Sequence, residues 1–309
     1  MKKTFNLVVL FSKEEFNAGY LIFSFLFLSA LLSVNYYYDF EHFMRLNYRG
    51  TNLYYPICFL YYGIPYVVSI LAYLFFYHKT HLIKNKQMWG TVLCLLGTLM
   101  LNEAFNFHRI YLGKHCSVET LWFIQSCTTN VVSVLLYFIP LVCYWLVYDS
   151  KSQALYGFNK AFDARPYLIM IFLMFPLLLW ASFQKDFLED YPVYAGIGFI
   201  HLLDLENWQG ILLFETAYSL DFVAVEFVFR GFMVLAIGKY LGKGAIMPMV
   251  TLYCLFHFGK PLGEAISSIF GGYILGILAY YSRSIYGGII IHLGVALMME
   301  FLAMIQKGI

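Results

Sequence analysis

Runs of about twenty apolar residues recur from one end of this chain to the other. Each is long enough to cross, as a helix, a hydrocarbon core roughly 30 Å thick. Backbone amides and carbonyls find no water in lipid, so only helices and closed barrels can span it. The runs lack the period-two alternation of barrel strands. The expected fold class is therefore all-α, a polytopic transmembrane helical bundle of about 8 to 9 spans. Hydropathy places them at 19–38, 56–78, 88–105, 121–148, 166–183, 209–238, 244–259, 263–282 and 286–305. Composition agrees, with 61% hydrophobic and only 12% charged residues, about half the charge of a soluble chain.

Loop charge sets an expected orientation. With the N-terminus cytoplasmic, Lys2, Lys3, Lys13, Lys79, Lys84, Lys86, Lys151, Lys160, Arg165, Lys239, Lys243 and Arg283 lie inside. Arg45, Arg49, Arg109, Lys114, Lys185, Lys260 and Lys307 lie outside. That bias favours a cytoplasmic N-terminus, and the expected location is a bacterial inner membrane. The basic, then apolar, start at Met1 to Leu7 breaks at Lys13-Glu14-Glu15 without a cleavage site, and reads as a short interfacial helix. Tyr36, Tyr37, Tyr38, Tyr54 and Tyr55 flank the first external loop like an interfacial aromatic belt.

Other function classes find little support. A net charge of +2 with no basic tract gives no footprint for nucleic acid. Six cysteines without CxxC spacing read as buried thiols. Asp186, Glu189, Asp190, Asp204 and Glu206 read as a solvated external segment. No internal repeat is evident, which counts against an inverted-repeat transporter.

The informative residues are ionisable groups inside the apolar runs near the C-terminus: Glu226, Arg230, His257 and His292. A charge at the bilayer centre costs a few kcal/mol, so such groups face a partner or a water-filled cavity. Glu226 and Arg230 are four residues apart and, in an α-helix, neighbours on one face, where an ion pair is the simplest reading. Each histidine alone reads as a packing residue. Two imidazoles with a carboxylate supply what metal binding or water activation needs. Gly272 and Gly276 form a GxxxG-like face that permits close helix approach between the two histidine-bearing segments.

Over roughly residues 209 to 305, these residues resemble the CPBP family of intramembrane proteases, which includes the CAAX prenyl endopeptidases and bacteriocin-processing or immunity proteins. The family pattern is Glu-Glu-x-x-x-Arg, then Phe-x-x-x-His, then a second His followed four residues later by Asn or a similar residue. Glu226 and Arg230 match the second glutamate and the arginine, His257 the first histidine and His292 the second. The resemblance divides the chain into N-terminal transmembrane helices without a motif, 1–165, and a CPBP-like core, 166–309. It implies catalytic roles for Glu226, Arg230, His257 and His292, and a divalent metal such as zinc held by His257, His292 and Glu226.

The chain departs from the pattern at three positions. Val225 stands where the family has its first glutamate, Ala296 four residues after His292, and Tyr253 at the motif phenylalanine. Valine can neither accept a proton nor bind a metal. Glu226 itself, Glu264, seven residues beyond His257, and Asp221, about one turn before Val225, are the carboxylates that could take over, in that order; Glu300 is a weaker candidate. Two functions follow from the resemblance. One is an intramembrane peptidase acting on a membrane-associated protein or peptide; the other is a catalytically silent relative that binds or scaffolds another membrane protein. The expected partners are such a protein or peptide and the lipid bilayer.

Overall fold

The computed structural model describes residues 2–159, 162–194, 203 and 205–308. Lys160 and Asp204, counted above among the loop charges, lie outside them. Every regular element among the described residues is helical. In chain order they are α1 (Lys2–Glu14), α2 (Ala18–Tyr38), α3 (Phe40–Tyr48), α4 (Tyr54–Phe76), α5 (Lys86–Ala104), α6 (Phe107–His115) and α7 (Val118–Tyr144). There follow α8 (Arg165–Ala181), α9 (Lys185–Asp190), α10 (Asn207–Glu226), α11 (Gly238–Leu241), α12 (Ile246–Leu255), α13 (Leu262–Ser282) and α14 (Tyr286–Lys307).

Among the described residues, six stretches are long and apolar enough to cross a membrane: Ala18–Tyr38, Tyr54–Phe76, Lys86–His115, Val118–Asp149, Leu262–Ser282 and Tyr286–Lys307. They correspond to six of the nine spans expected from hydropathy, and the protein is an all-α integral membrane protein. The other three are built differently. The span expected at 166–183 is the 17-residue α8. The span at 209–238 is α10 running directly into a ten-residue π-helix, Phe227–Ala236. The span at 244–259 contains α12, only ten residues long. At ~1.5 Å per residue this covers ~15 Å, half a hydrocarbon core, and its sequence is apolar because nearly every side chain is buried in protein.

The chain forms two compact units. One comprises the described residues of 1–104, 140–163 and 227–288; the other comprises those of 105–139, 164–226 and 289–309.

In the first unit, α12 packs most extensively on α13, and also on α4. The glycines of α13 make the approach to α12 possible. A Cβ at Gly272 would lie 2.9 Å from the Tyr253 ring, and one at Gly276 2.6 Å from Met249. The expected small-residue face is thus used for packing. α1 packs on α13 as well, with Phe11 edge-on to Tyr273. At its end Lys243 is paired with Glu14 and holds that carboxyl below the usual range.

The π-helix is seated on the segment that follows α7. Asp149 is 1% exposed; it accepts from Lys239 at 2.5 Å and from the Tyr156 hydroxyl at 2.7 Å. Those bonds bring the Tyr156 carbonyl against Gly231, where a Cβ would stand only 2.7 Å from the carbonyl oxygen. Next in the chain, Gly157 has φ +88°, and its carbonyl accepts from the Ile285 amide at 3.1 Å.

In the second unit, Phe123, Tyr194 and Phe214 form a buried aromatic cluster joining α7 to α10. Phe187, Tyr191 and Ala303 join α9 to α14. A Cβ at Gly294 would stand 2.6 Å from the Ile171 side chain, so α8 and α14 approach closely there.

Gly231 offers a direct test. A Gly231→Ala methyl meets a backbone oxygen that Asp149 and Tyr156 hold in place, and overpacking of this kind costs about 1 to 3 kcal/mol. Gly231→Ala should lower the thermal midpoint of the detergent-solubilised protein. Gly113→Ala, in α6 with nothing within 4 Å of the added carbon, should leave it level or slightly raised. Equal midpoints for both variants would contradict this seating of the π-helix.

Candidate active site

The second unit brings together Glu226 and His292. Glu226 is the last residue of α10 and its side chain is 0% exposed, while that of His292, in α14, is 16% exposed. The His292 Nδ1 and the Glu226 Oε1 are 3.1 Å apart. Taking a carboxylate out of water is expensive unless a donor meets it, and the imidazole N–H is that donor. Bonding at Nδ1 selects the tautomer in which Nε2 carries the lone pair. The Phe222 ring lies 4.5 Å from the imidazole and limits its swing. Glu226 and His292 therefore form a carboxylate–imidazole dyad with a defined orientation.

Asp221 belongs to the same unit and interacts with Ser133 and, through charge, with His292. Val225 presents no polar group, and Ala296, 7% exposed, fills the position four residues after His292 with a methyl group. Glu300 has a structural task. Its carboxylate accepts from the Val193 amide at 2.9 Å and from the Tyr194 amide at 3.2 Å, fixing the strand of chain that carries the Tyr194 ring into the aromatic cluster.

The first unit holds Arg230 and His257, and Tyr253 arranges both. Arg230 lies in the π-helix and is 0% exposed. Its guanidinium carbon stands 4.2 Å from the centre of the Tyr253 ring, a cation–π contact favoured where water is excluded. Arg230 falls where the helix bonds i to i+5. Such π segments often occur at functional sites. His257 lies in the turn after α12; its Nδ1 bonds the Tyr253 carbonyl at 2.8 Å and its ring is 4.7 Å from the Tyr253 ring. Phe229, 5.1 Å from Tyr253, completes the aromatic packing.

A phenylalanine at 253 would offer the same ring, so the substitution read in the sequence as a departure keeps the arrangement. Its larger role there was not legible, because an aromatic in an apolar run looks like any other core residue. Glu264 is in the first turn of α13, where a carboxylate is favoured by the positive end of the helix dipole.

A zinc site needs at least three nitrogen, sulfur or oxygen ligands from the protein. Within neither unit do three His, Cys, Asp or Glu side chains among the described residues gather into such a set. Glu226 and His292 supply two donors already bonded to each other.

The Tyr253 arrangement predicts a graded response. Tyr253→Phe should keep the thermal midpoint close to wild type. Tyr253→Ala removes the ring under Arg230 and opens a cavity beside α13, a loss of about 3 to 5 kcal/mol for a large buried aromatic. Thermal unfolding of the two variants in detergent checks this. A Tyr253→Phe midpoint as low as that of Tyr253→Ala would show that the hydroxyl, and not the ring, holds the site.

Comparison with known proteins agrees with the motif order. No curated protein and no solved structure matches the chain. Residues 207–298, the segment carrying Glu226, Arg230, His257 and His292, match the family model described as type II CAAX prenyl endopeptidase Rce1-like.

Proposed function

We propose that the protein is an intramembrane peptidase of CPBP type that cleaves a membrane-associated protein or peptide, in a bacterial inner membrane with its N-terminus cytoplasmic. The observation that carries this reading is the Glu226–His292 dyad, 3.1 Å between Oε1 and Nδ1, inside the segment that matches an endopeptidase family. With Nδ1 committed to Glu226, His292 Nε2 is the nitrogen that takes a proton from water as its oxygen attacks the scissile carbonyl carbon. Glu226 stabilises the resulting imidazolium, and its complete burial suits a group that acts on a histidine and not on water directly. His292 then returns the proton to the leaving amine. Arg230 and His257 enter through the motif order. The resemblance gives both of them catalytic roles.

Val225 and Ala296 favour a second reading, a silent relative whose polar site holds another membrane protein. The two separate in proteoliposomes presented with a prenylated C-terminal peptide and with an unprenylated transmembrane segment. The peptidase should cleave at least one of them. Glu226→Gln keeps the shape of the side chain but not its charge, so it should lower kcat by about a hundredfold or more without loss of folded protein. Val225→Glu should restore part of a two-carboxylate site and raise the rate. No cleavage of either peptide by wild type or Val225→Glu would sink the peptidase reading in favour of the scaffold. Orientation is tested separately: reporters fused after Lys86 and after Lys114 should report opposite sides, and agreement between them would refute the proposed topology.

A further inference from the structure

His257 sits in the turn past the end of α12, where the Leu252, Cys254 and Leu255 carbonyls accept from the amides of Phe256, His257 and Phe258. Two side chains of α2, more than two hundred positions earlier in the chain, supply donors to this turn. The Asn35 amide nitrogen donates to the Phe258 carbonyl at 3.1 Å. The Tyr36 hydroxyl donates to the Lys260 carbonyl at 2.7 Å and lies 3.4 Å from the carbonyl of His257 itself. The Tyr36 ring stands edge-on to Phe258 with centroids 6.2 Å apart.

Asn35 is itself held in place. It is 3% exposed, and its side-chain oxygen accepts from the Glu41 amide at 3.0 Å, so its NH2 must face the turn. The Glu41 carboxylate lines Gly259, where a Cβ would come within 3.2 Å of it. Glu41 is paired with Arg45, and Arg45 reaches Glu103 of α5 at 3.2 Å. The turn carrying His257 thus rests on a hydrogen-bonded corner between α2 and α3, tied to α5. The imidazole itself is bonded through Nδ1 to the Tyr253 carbonyl of its own helix turn.

We infer that Asn35 and Tyr36 are positioning residues for His257, setting the imidazole through the backbone of residues 257–260. This assigns a task to the N-terminal helices, in which no motif is visible. As a statement about catalysis it rests on the peptidase reading; as a statement about the His257 ring it does not. The Asn35 amide is needed because its bond to the Phe258 carbonyl is buried, and a buried carbonyl without a donor is costly.

The test uses the full-length protein in detergent, with ring nitrogens of histidine labelled for NMR and the His257 signal assigned by its loss in His257→Gln. Tyr36→Phe keeps the ring and removes only the hydroxyl; Asn35→Ala removes the amide. Tyr37→Phe, at the neighbouring and 81% exposed position, is the control. Tyr36→Phe should shift the His257 signals and lower kcat by about tenfold, the scale expected for a misplaced catalytic group, with KM and thermal midpoint near wild type. Asn35→Ala should shift the same signals, and Tyr37→Phe should shift none. A lowered midpoint with unmoved His257 signals in both variants would make the corner merely structural and overturn the inference. If the wild type cleaves nothing, the peptidase reading fails while the His257 signals still decide the positioning: moved signals uphold it and unmoved signals overturn it.

Discussion

A carboxylate with no exposure to solvent has to be met by a donor, and in this chain that requirement fixes one helix against another. Glu226 closes α10 and His292 lies one third of the way along α14. Their bond demands that α14 present its histidine face to the end of α10. The remaining contacts of the second unit follow: Gly294, two residues further on, admits Ile171 of α8, and Glu300, two turns beyond His292, gathers the amides of Val193 and Tyr194. Different sides of α14 therefore carry an imidazole, a glycine and a carboxylate, each met by a different neighbour. Mutual satisfaction of this kind is costly to break, since losing one member leaves the others buried without partners.

The first unit solves a related problem with aromatics. Arg230 is a fully buried cation, and the face of Tyr253 supplies part of its environment. The same ring abuts His257, and its own space exists because position 272 is glycine. A half-length helix makes this possible. Because α12 stops after ten residues, its final turn, with His257 just beyond, ends inside protein instead of at a membrane surface. The carbonyls of Phe258 and Lys260 beyond it accept from Asn35 and Tyr36 of α2. The shortness of α12 and the polar end of α2 are two consequences of one arrangement.

Glu226, Arg230, His257 and His292 stood out in the sequence because such groups are rare in apolar runs. The six long spans were legible because length and hydropathy suffice. The glycine face of α13 was equally clear, since small residues four apart have few other uses in an apolar helix. What escaped was whatever periodicity misreads. A 3.6-residue repeat drawn through Phe227 to Ala236 misses that the stretch is a π-helix with the Tyr156 carbonyl against Gly231, a contact with a residue seventy-five positions earlier. The run from 244 to 259 looked like a span because burial in protein and burial in lipid select the same residues. Tyr36 was hidden among Tyr37 and Tyr38, which do fit an interfacial belt at 81% and 69% exposure. The one available signal was Asn35, an amide near the end of an apolar run where an amide has to bond something.

The place of Val225 becomes more intelligible once the retained glutamate is located. A pair of adjacent glutamates points in two directions from a helix, about 100° apart at 3.6 residues per turn, so only one of the pair can meet the histidine of α14. Here the survivor is the one that does, and it does so with its carboxylate completely buried. On the peptidase reading the missing residue is therefore the one that would face water, while the orienting half of the machinery persists. His292 then has to serve as the base. An imidazole held by a buried carboxylate is suited to that work, because the ion pair formed on protonation is stabilised where water cannot screen it. On the scaffold reading the same dyad is a buried polar pair that fixes α10 against α14, and Val225 is an apolar side chain offered to whatever binds beside it. Both readings require Glu226 to hold His292; they differ in whether the proton on that imidazole ever moves.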